Sequence, residues 1–274
     1  MDTGFFGPES MTWRINQEMT VLFGGVRALL MHAAHPLVAA GARQTATYRR
    51  DPWARLLRTL SLQLLLPFGT RGEAQHAAER INRLHAVVNG MDPVTGEPYD
   101  ALDPQLLLWV HACLEESSVL FYQLTVRPLT DAQREQFHEE NKKAAELVLL
   151  DPSDVPSTFT AMQAYIDDVI ASDRLLISDI AREVADLISG GPVPWRIKPI
   201  WKFIAFAAVG TLPKELQRRY GYRWSPERDR LLTANLKILK TVRPYLPQRL
   251  RLIRPARVAH RRLAGEDVAM PRPG

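Results

Sequence analysis

Apolar residues along this chain recur at spacings of three and four, the helical period, and no convincing stretch alternates apolar with polar residues. The pattern reads as all-α. It predicts a helix over Glu9 to Met31, bent at Gly24-Gly25, and a further break after His35-Pro36, because proline disfavours helix in the residue before it. Asp51 as N-cap and Pro52 at the first helical position open a helix that reaches Leu66 and stops at Pro67-Phe68-Gly69. The next runs from Gly72 to Val88, after which Asp92 to Asp100, with Pro93, Gly96 and Pro98, reads as an irregular loop. Asp103-Pro104 starts a helix to Val126. Thr130 or Asp131 caps a polar one to Leu150, Ser157 another to Ala171, and Asp173 to Ile188 makes the next.

Gly190 to Pro199 is the place for an internal division, although residues 1–274 are read as one helical domain with one core. Helices are then expected over the apolar Ile200 to Val209, Pro213 to Tyr220, Ser225-Pro226 to Thr241 and the basic Gln248 to Leu263, with 264–274 as a loose tail. With 46% apolar and 24% charged residues in 274, the chain can bury a core without disulfides or a structural metal, which excludes disorder. The lone Cys113 has no intramolecular partner, and the first residues lack a basic start followed by an apolar run. The apolar run Phe203 to Leu212 is ten residues long, too short to cross about 30 Å of hydrocarbon. A cytoplasmic protein is expected.

Charge changes the picture at one end. Residues 228–262 hold eleven Arg and Lys against a single acid, Asp229, whereas the rest of the chain is net negative. Such a stretch is either a solvated face or a peripheral contact with anionic lipid. Nucleic acid is not expected, since no helix-turn-helix accompanies it and Tyr245 is the one aromatic residue among the cations.

Candidate chemistry starts from histidines on apolar faces, where an imidazole has lost water and needs a hydrogen bond or a metal in exchange. His85 continues the stripe Ala74, Ala77, Ala78, Ile81, Leu84, Val88 and should point inward, either bonded to a carbonyl or bound to a metal. His111 shares a face with Leu107, Leu114 and Ser118, one turn before Glu115. His35, at the helix break, lines a pocket or caps a turn, and His32 lies three residues before it. Arg55, Arg58 and Thr59 sit in a helix apolar almost all round, so they need acceptors inside the protein: a neighbouring acid, or the carboxylates of a buried cofactor.

Three segments carry a resemblance: Gly24-Gly25-Val26-Arg27-Ala28-Leu29-Leu30, His35-Pro36-Leu37-Val38-Ala39-Ala40-Gly41 and Asp51-Pro52-Trp53-Ala54-Arg55-Leu56-Leu57-Arg58-Thr59. Leu84-His85-Ala86-Val87-Val88-Asn89-Gly90, Tyr99 and Trp109-Val110-His111-Ala112 extend it. Over about Gly24 to Ser118 the chain resembles the MpaB-type oxygenases, which include the latex-clearing proteins or rubber oxygenases. That resemblance implies a globin-like helical core, haem b as cofactor with dioxygen as co-substrate, and a small hydrophobic, isoprenoid or lipid-like substrate. It implies that His85 ligates the iron and that Arg55 and Thr59 lie beside the haem on the dioxygen side; His35 and His111 are further candidates for the cofactor site.

Two departures qualify the likeness. Arg58 stands where rubber oxygenases carry a lysine able to cap the iron, and arginine, always protonated, is a poor ligand. Leu37 to Arg43 holds no acid where those enzymes carry a catalytic glutamate. The competing readings are a non-enzymatic helical haem- or lipid-binding protein at a membrane, and a di-iron carboxylate protein built on Glu73-x-x-His76 and Glu135-x-x-His138. Against the latter, Glu135 to Lys142 reads as a solvated face, which places His138 in water.

Overall fold

A computed structural model describes residues 2–44, 52–191, 193–266 and 268–270, with the backbone alone for 52–58. The fold is helical. In chain order it runs α1 (Met11–Asn16), a 3-10 turn (Met19–Val21), α2 (Leu22–Ala33), α3 (Pro36–Gln44), α4 (Pro52–Phe68) and α5 (Arg71–His85). A small antiparallel pair follows, β1 (Asn89–Met91) with β2 (Pro98–Asp100), where an irregular loop was expected. The pairing closes over a turn in which Asp92 Oδ2 accepts from the Thr95 backbone and hydroxyl, a local bond network that hydrophobic periodicity does not register. Then come α6 (Pro104–Thr125), α7 (Asp131–Leu147), α8 (Phe159–Ala171) and α9 (Asp179–Gly190). After these lie α10 (Lys198–Gly210), α11 (Lys214–Arg219), α12 (Pro226–Val242), a 3-10 turn (Arg243–Tyr245), α13 (Gln248–Arg251) and α14 (Arg254–Leu263).

Helix starts follow side-chain capping closely: Ser10, Thr70, Asp103, Thr130, Thr158, Ser178 and Ser225 each accept a backbone N–H of the first turn. Ser178 places the start of α9 six residues beyond the expected Asp173, and α4 passes through Pro67 to Phe68 instead of stopping before it.

Gly24-Gly25 does not bend the chain; the break falls at Gln17 and Glu18, before the 3-10 turn. Gly24 serves close packing instead, since a Cβ there would lie 2.6 Å from the Ser117 carbonyl oxygen of α6. One turn on, the buried Arg27 donates Nε to the Thr211 carbonyl (3.0 Å) and Nη1 to Ser117 Oγ (2.6 Å), and pairs with Glu116. The α2–α6 pair is thereby locked to the end of α10.

The main apolar cluster takes Leu30 and Met31 from α2, Trp109 and Ala112 from α6, Met162 and Ile166 from α8, Ala181 from α9, and Ala208 and Leu216 beyond it. It draws on both sides of the 190–199 stretch. The chain ends are also tied down. Buried Glu18 pairs with Arg243, the Ile253 N–H donates to the Gln17 carbonyl at 2.9 Å, and Ala256 and Ala259 of α14 pack on Trp13 and Phe68. Met270 is buried in that same cluster, so the expected loose tail is docked at this point.

Candidate functional site

Helices α1, α2, α4, α5, α6 and α7 enclose a cavity of about 660 Å³, within the roughly 300–1,000 Å³ usual for cofactor and small-molecule sites. Leu60 and Leu64 of α4, Ile81 and Leu84 of α5, Leu107 of α6 and Phe137 of α7 make its walls apolar. The polar groups facing it include Thr59, Gln63, His85, His111, Glu115 and Asn141.

His85 reaches this cavity because of how α5 begins and ends. Thr70 and Glu73 form a reciprocal capping box, which sets the register that buries Ala74, Ala77 and Ala78. Asn82 Nδ2 then donates to the Leu147 carbonyl (3.0 Å) and ties the last turn to α7. His85 Nδ1 is buried with no hydrogen-bond partner among the described residues, and burial pushes the imidazole pKa down. The lowered pKa favours the neutral ring, the form that has a lone pair to offer a ligand. Leu84, expected on the buried stripe, is more than half exposed where it borders the cavity.

Thr59 and His111 join His85 on this cavity; His35 is not among its described lining residues. The side chains of Arg55 and Arg58 lie outside the described atoms, though the α4 backbone carrying them is present. His35 is half-buried with Nδ1 unpartnered, and burial, aided by Arg174, lowers its pKa to about 4. His32 also falls to about 4 through burial, and its Nε2 bonds the Val110 carbonyl at 3.1 Å, a structural role. Leu60 and Leu64 line the cavity, whereas Phe68 packs on Trp13 and Phe203 packs on Phe23, away from it.

Sequence reasoning missed the most polar part of the site. His138 is fully buried: Nδ1 lies 2.7 Å from Glu115 Oε1 and Nε2 lies 2.7 Å from the Pro156 carbonyl. Both neighbours are acceptors, so the ring donates on both sides as an imidazolium to a carboxylate. Burial opposes both charges, yet the Glu115 contact outweighs it and raises the His138 pKa, while His111 and His138 lower that of Glu115. His111 Nε2 stands 3.3 Å from Glu115 Oε2, close enough for attraction but outside hydrogen-bond geometry. Glu115 is the one carboxylate among the described lining residues. The signal was its place one turn after His111; its pairing with α7 crosses 23 positions and cannot be read from periodicity.

The Glu-x-x-His pairs serve other ends. Glu73 completes the capping box, Glu135 Oε2 accepts the Phe159 N–H at 2.9 Å, and His76 is exposed. Among the described residues no group of three or more His, Cys, Asp or Glu is placed to hold a metal ion, which removes the basis for a di-iron centre. Cys113 is buried with its pKa raised well above the usual thiol range by burial, so it is no nucleophile.

The sequence profile of the ER-bound oxygenase mpaB/B'/rubber oxygenase catalytic domain matches residues 12–243. The chain belongs to this family. Similar curated proteins include Rv2237 of Mycobacterium tuberculosis and Mb2261 of Mycobacterium bovis, both uncharacterized. Each is 24% identical over 229 residues, covering 81% of this chain and 88% of the relative. No solved structure matches. Membership in an oxygenase family suggests enzyme activity. As for membranes, no single described helix is long and apolar enough to cross one; Met19–Ala33 with Pro36–Gln44 passes only as a pair bent by 104°.

Proposed function

We propose that this protein is a haem b-dependent oxygenase that uses dioxygen on a small hydrophobic, isoprenoid or lipid-like substrate in the cytoplasm. The observation that supports it is His85, a neutral imidazole with an unpartnered buried nitrogen on a cavity of about 660 Å³, in a chain of this family. The donor set fits a haem: one imidazole for the iron and an apolar enclosure for the macrocycle. His85 would hold the iron. Thr59 and His111 border the same space, and Arg55, one turn before Thr59 on α4, would neutralise propionates or hydrogen-bond the dioxygen side, with Arg58 adjacent. When bound, the haem supplies dioxygen activation. The protein's own share is to orient an apolar substrate between Leu60, Leu64, Leu107 and Phe137 and to exclude water from it.

The basic 228–262 segment is proposed to rest on anionic lipid. Leu231, Ile238, Val242 and Tyr245 stand exposed among its cations, the composition of an interfacial face.

An absorption spectrum of protein from haem-supplemented cells tests the oxygenase reading. Wild type should show a Soret band that His85→Ala loses. A band retained by the mutant would place the iron elsewhere, and no band in either would turn the reading to a non-enzymatic lipid-binding protein.

A further inference from the structure

We infer that the polar corner of the cavity, where α1, α6 and α7 meet, binds the hydroxyl end of an aliphatic alcohol. Thr12 Oγ1, Glu115 Oε2 and Asn141 Nδ2 are buried without hydrogen-bond partners among the described residues. All three side chains belong to residues less than a tenth exposed, and all three residues line the cavity. Three such atoms on residues that line one cavity are a strong demand for a complementary group, since each stays desolvated and unpaired until it is met.

The corner specifies that group's chemistry. Asn141 Nδ2 can only donate, Glu115 Oε2 as a carboxylate can only accept, and the Thr12 hydroxyl can do either. An alcohol satisfies both fixed roles at once, its oxygen accepting from Asn141 and its O–H donating to Glu115. A carboxylate has no O–H to give. It would also add an anion to a corner that is already balanced, because the Glu115 charge is met by His138 at 2.7 Å. An ether accepts from Asn141 but leaves Glu115 unserved. Leu60, Leu64, Ile81, Leu107 and Phe137 supply apolar wall for the rest of the ligand, which suits a hydrocarbon chain.

This deepens the oxygenase reading by naming the polar end of its substrate, and binding alone reports on it. Calorimetric titration of the full chain with 1-decanol, decyl methyl ether and decanoate should show the alcohol bound about tenfold or more tightly than either of the others. Asn141→Leu and, separately, Thr12→Val should shrink that advantage to within about threefold, the alcohol losing more affinity than the ether. A thermal melt of each variant confirms folding; Glu115→Gln is the less clean probe because it also changes the partner of His138. Equal affinity for the three probes, no binding of the alcohol, or a preference indifferent to Asn141 and Thr12 would overturn the inference and leave the corner to water. A protein with no Soret band that still prefers decanol would keep this inference and lose the haem reading; a Soret band without the preference would do the reverse.

Discussion

Helix α6 presents two faces that handle polar groups in opposite ways. Toward α2, the Val110 carbonyl meets His32, and Ser117 and Glu116 meet Arg27, so these polar groups are matched within the protein. Toward the cavity, one turn away, His111 Nε2 and Glu115 Oε2 remain without hydrogen bonds, as do Asn141 of α7 and His85 of α5 opposite. Buried polar groups are nearly always paired, so a cluster of exceptions on one face marks the place where a ligand completes the structure. The matched face holds the fold together, and the unmatched face is where binding belongs.

The contrast predicts different penalties. Arg27→Met should destabilise the protein by about 3–5 kcal/mol in urea unfolding, because it strands the partly buried Glu116 carboxylate and two further acceptors. Glu115→Gln should lose less, about 1–3 kcal/mol, since His138 can give up its proton when the carboxylate is gone. Asn141→Leu should fall within about 0.5 kcal/mol of wild type or above it, because residues kept for binding often detract from stability. A loss as large as that of Arg27→Met would make Asn141 a structural strut and erase the distinction.

The two faces also titrate differently. His138 has its pKa raised above 6.5, so its contribution is full below 6.5 and fades as pH rises through the folded value. Glu115 is lowered below 4.5, so its contribution is full above 4.5 and fades as pH falls through its folded value. On the matched face, His32, lowered to about 4, is buried neutral and costs stability as pH falls from 6.5 toward 4. Stability followed by denaturant midpoint should therefore decline on both sides of neutrality, and Glu115→Gln should remove the alkaline decline and lessen the acid one, leaving the part due to His32. An unchanged alkaline decline would mean that the pair is not charged. The smallest effect is expected at the surface. Arg249→Glu should reduce pelleting with phosphatidylserine vesicles severalfold at low salt, with no change in melting temperature.

Much of this was legible in the chain, for local reasons. Capping residues and proline set most helix starts, and the Ala74, Ala77, Ala78 stripe turned α5 toward the core. What escaped was decided by distant partners. Gly24-Gly25 looked like a hinge because nothing nearby reveals that Ser117 needs the space. His138 looked solvated amid Glu, Asn and Lys because Glu115 and Pro156, which bury and pair it, come from other parts of the chain. The same long-range pairing hid the polar corner, although His85 and His111 were visible one helix at a time.

The most direct test of the central claim is haem titration into His85→Gly with and without added imidazole. The account predicts that the variant fails to develop a Soret band alone and recovers it when free imidazole fills the place of the missing ring. Full haem uptake by His85→Gly without imidazole, or no uptake under either condition by a variant that melts like wild type while wild type itself binds no haem, would contradict it.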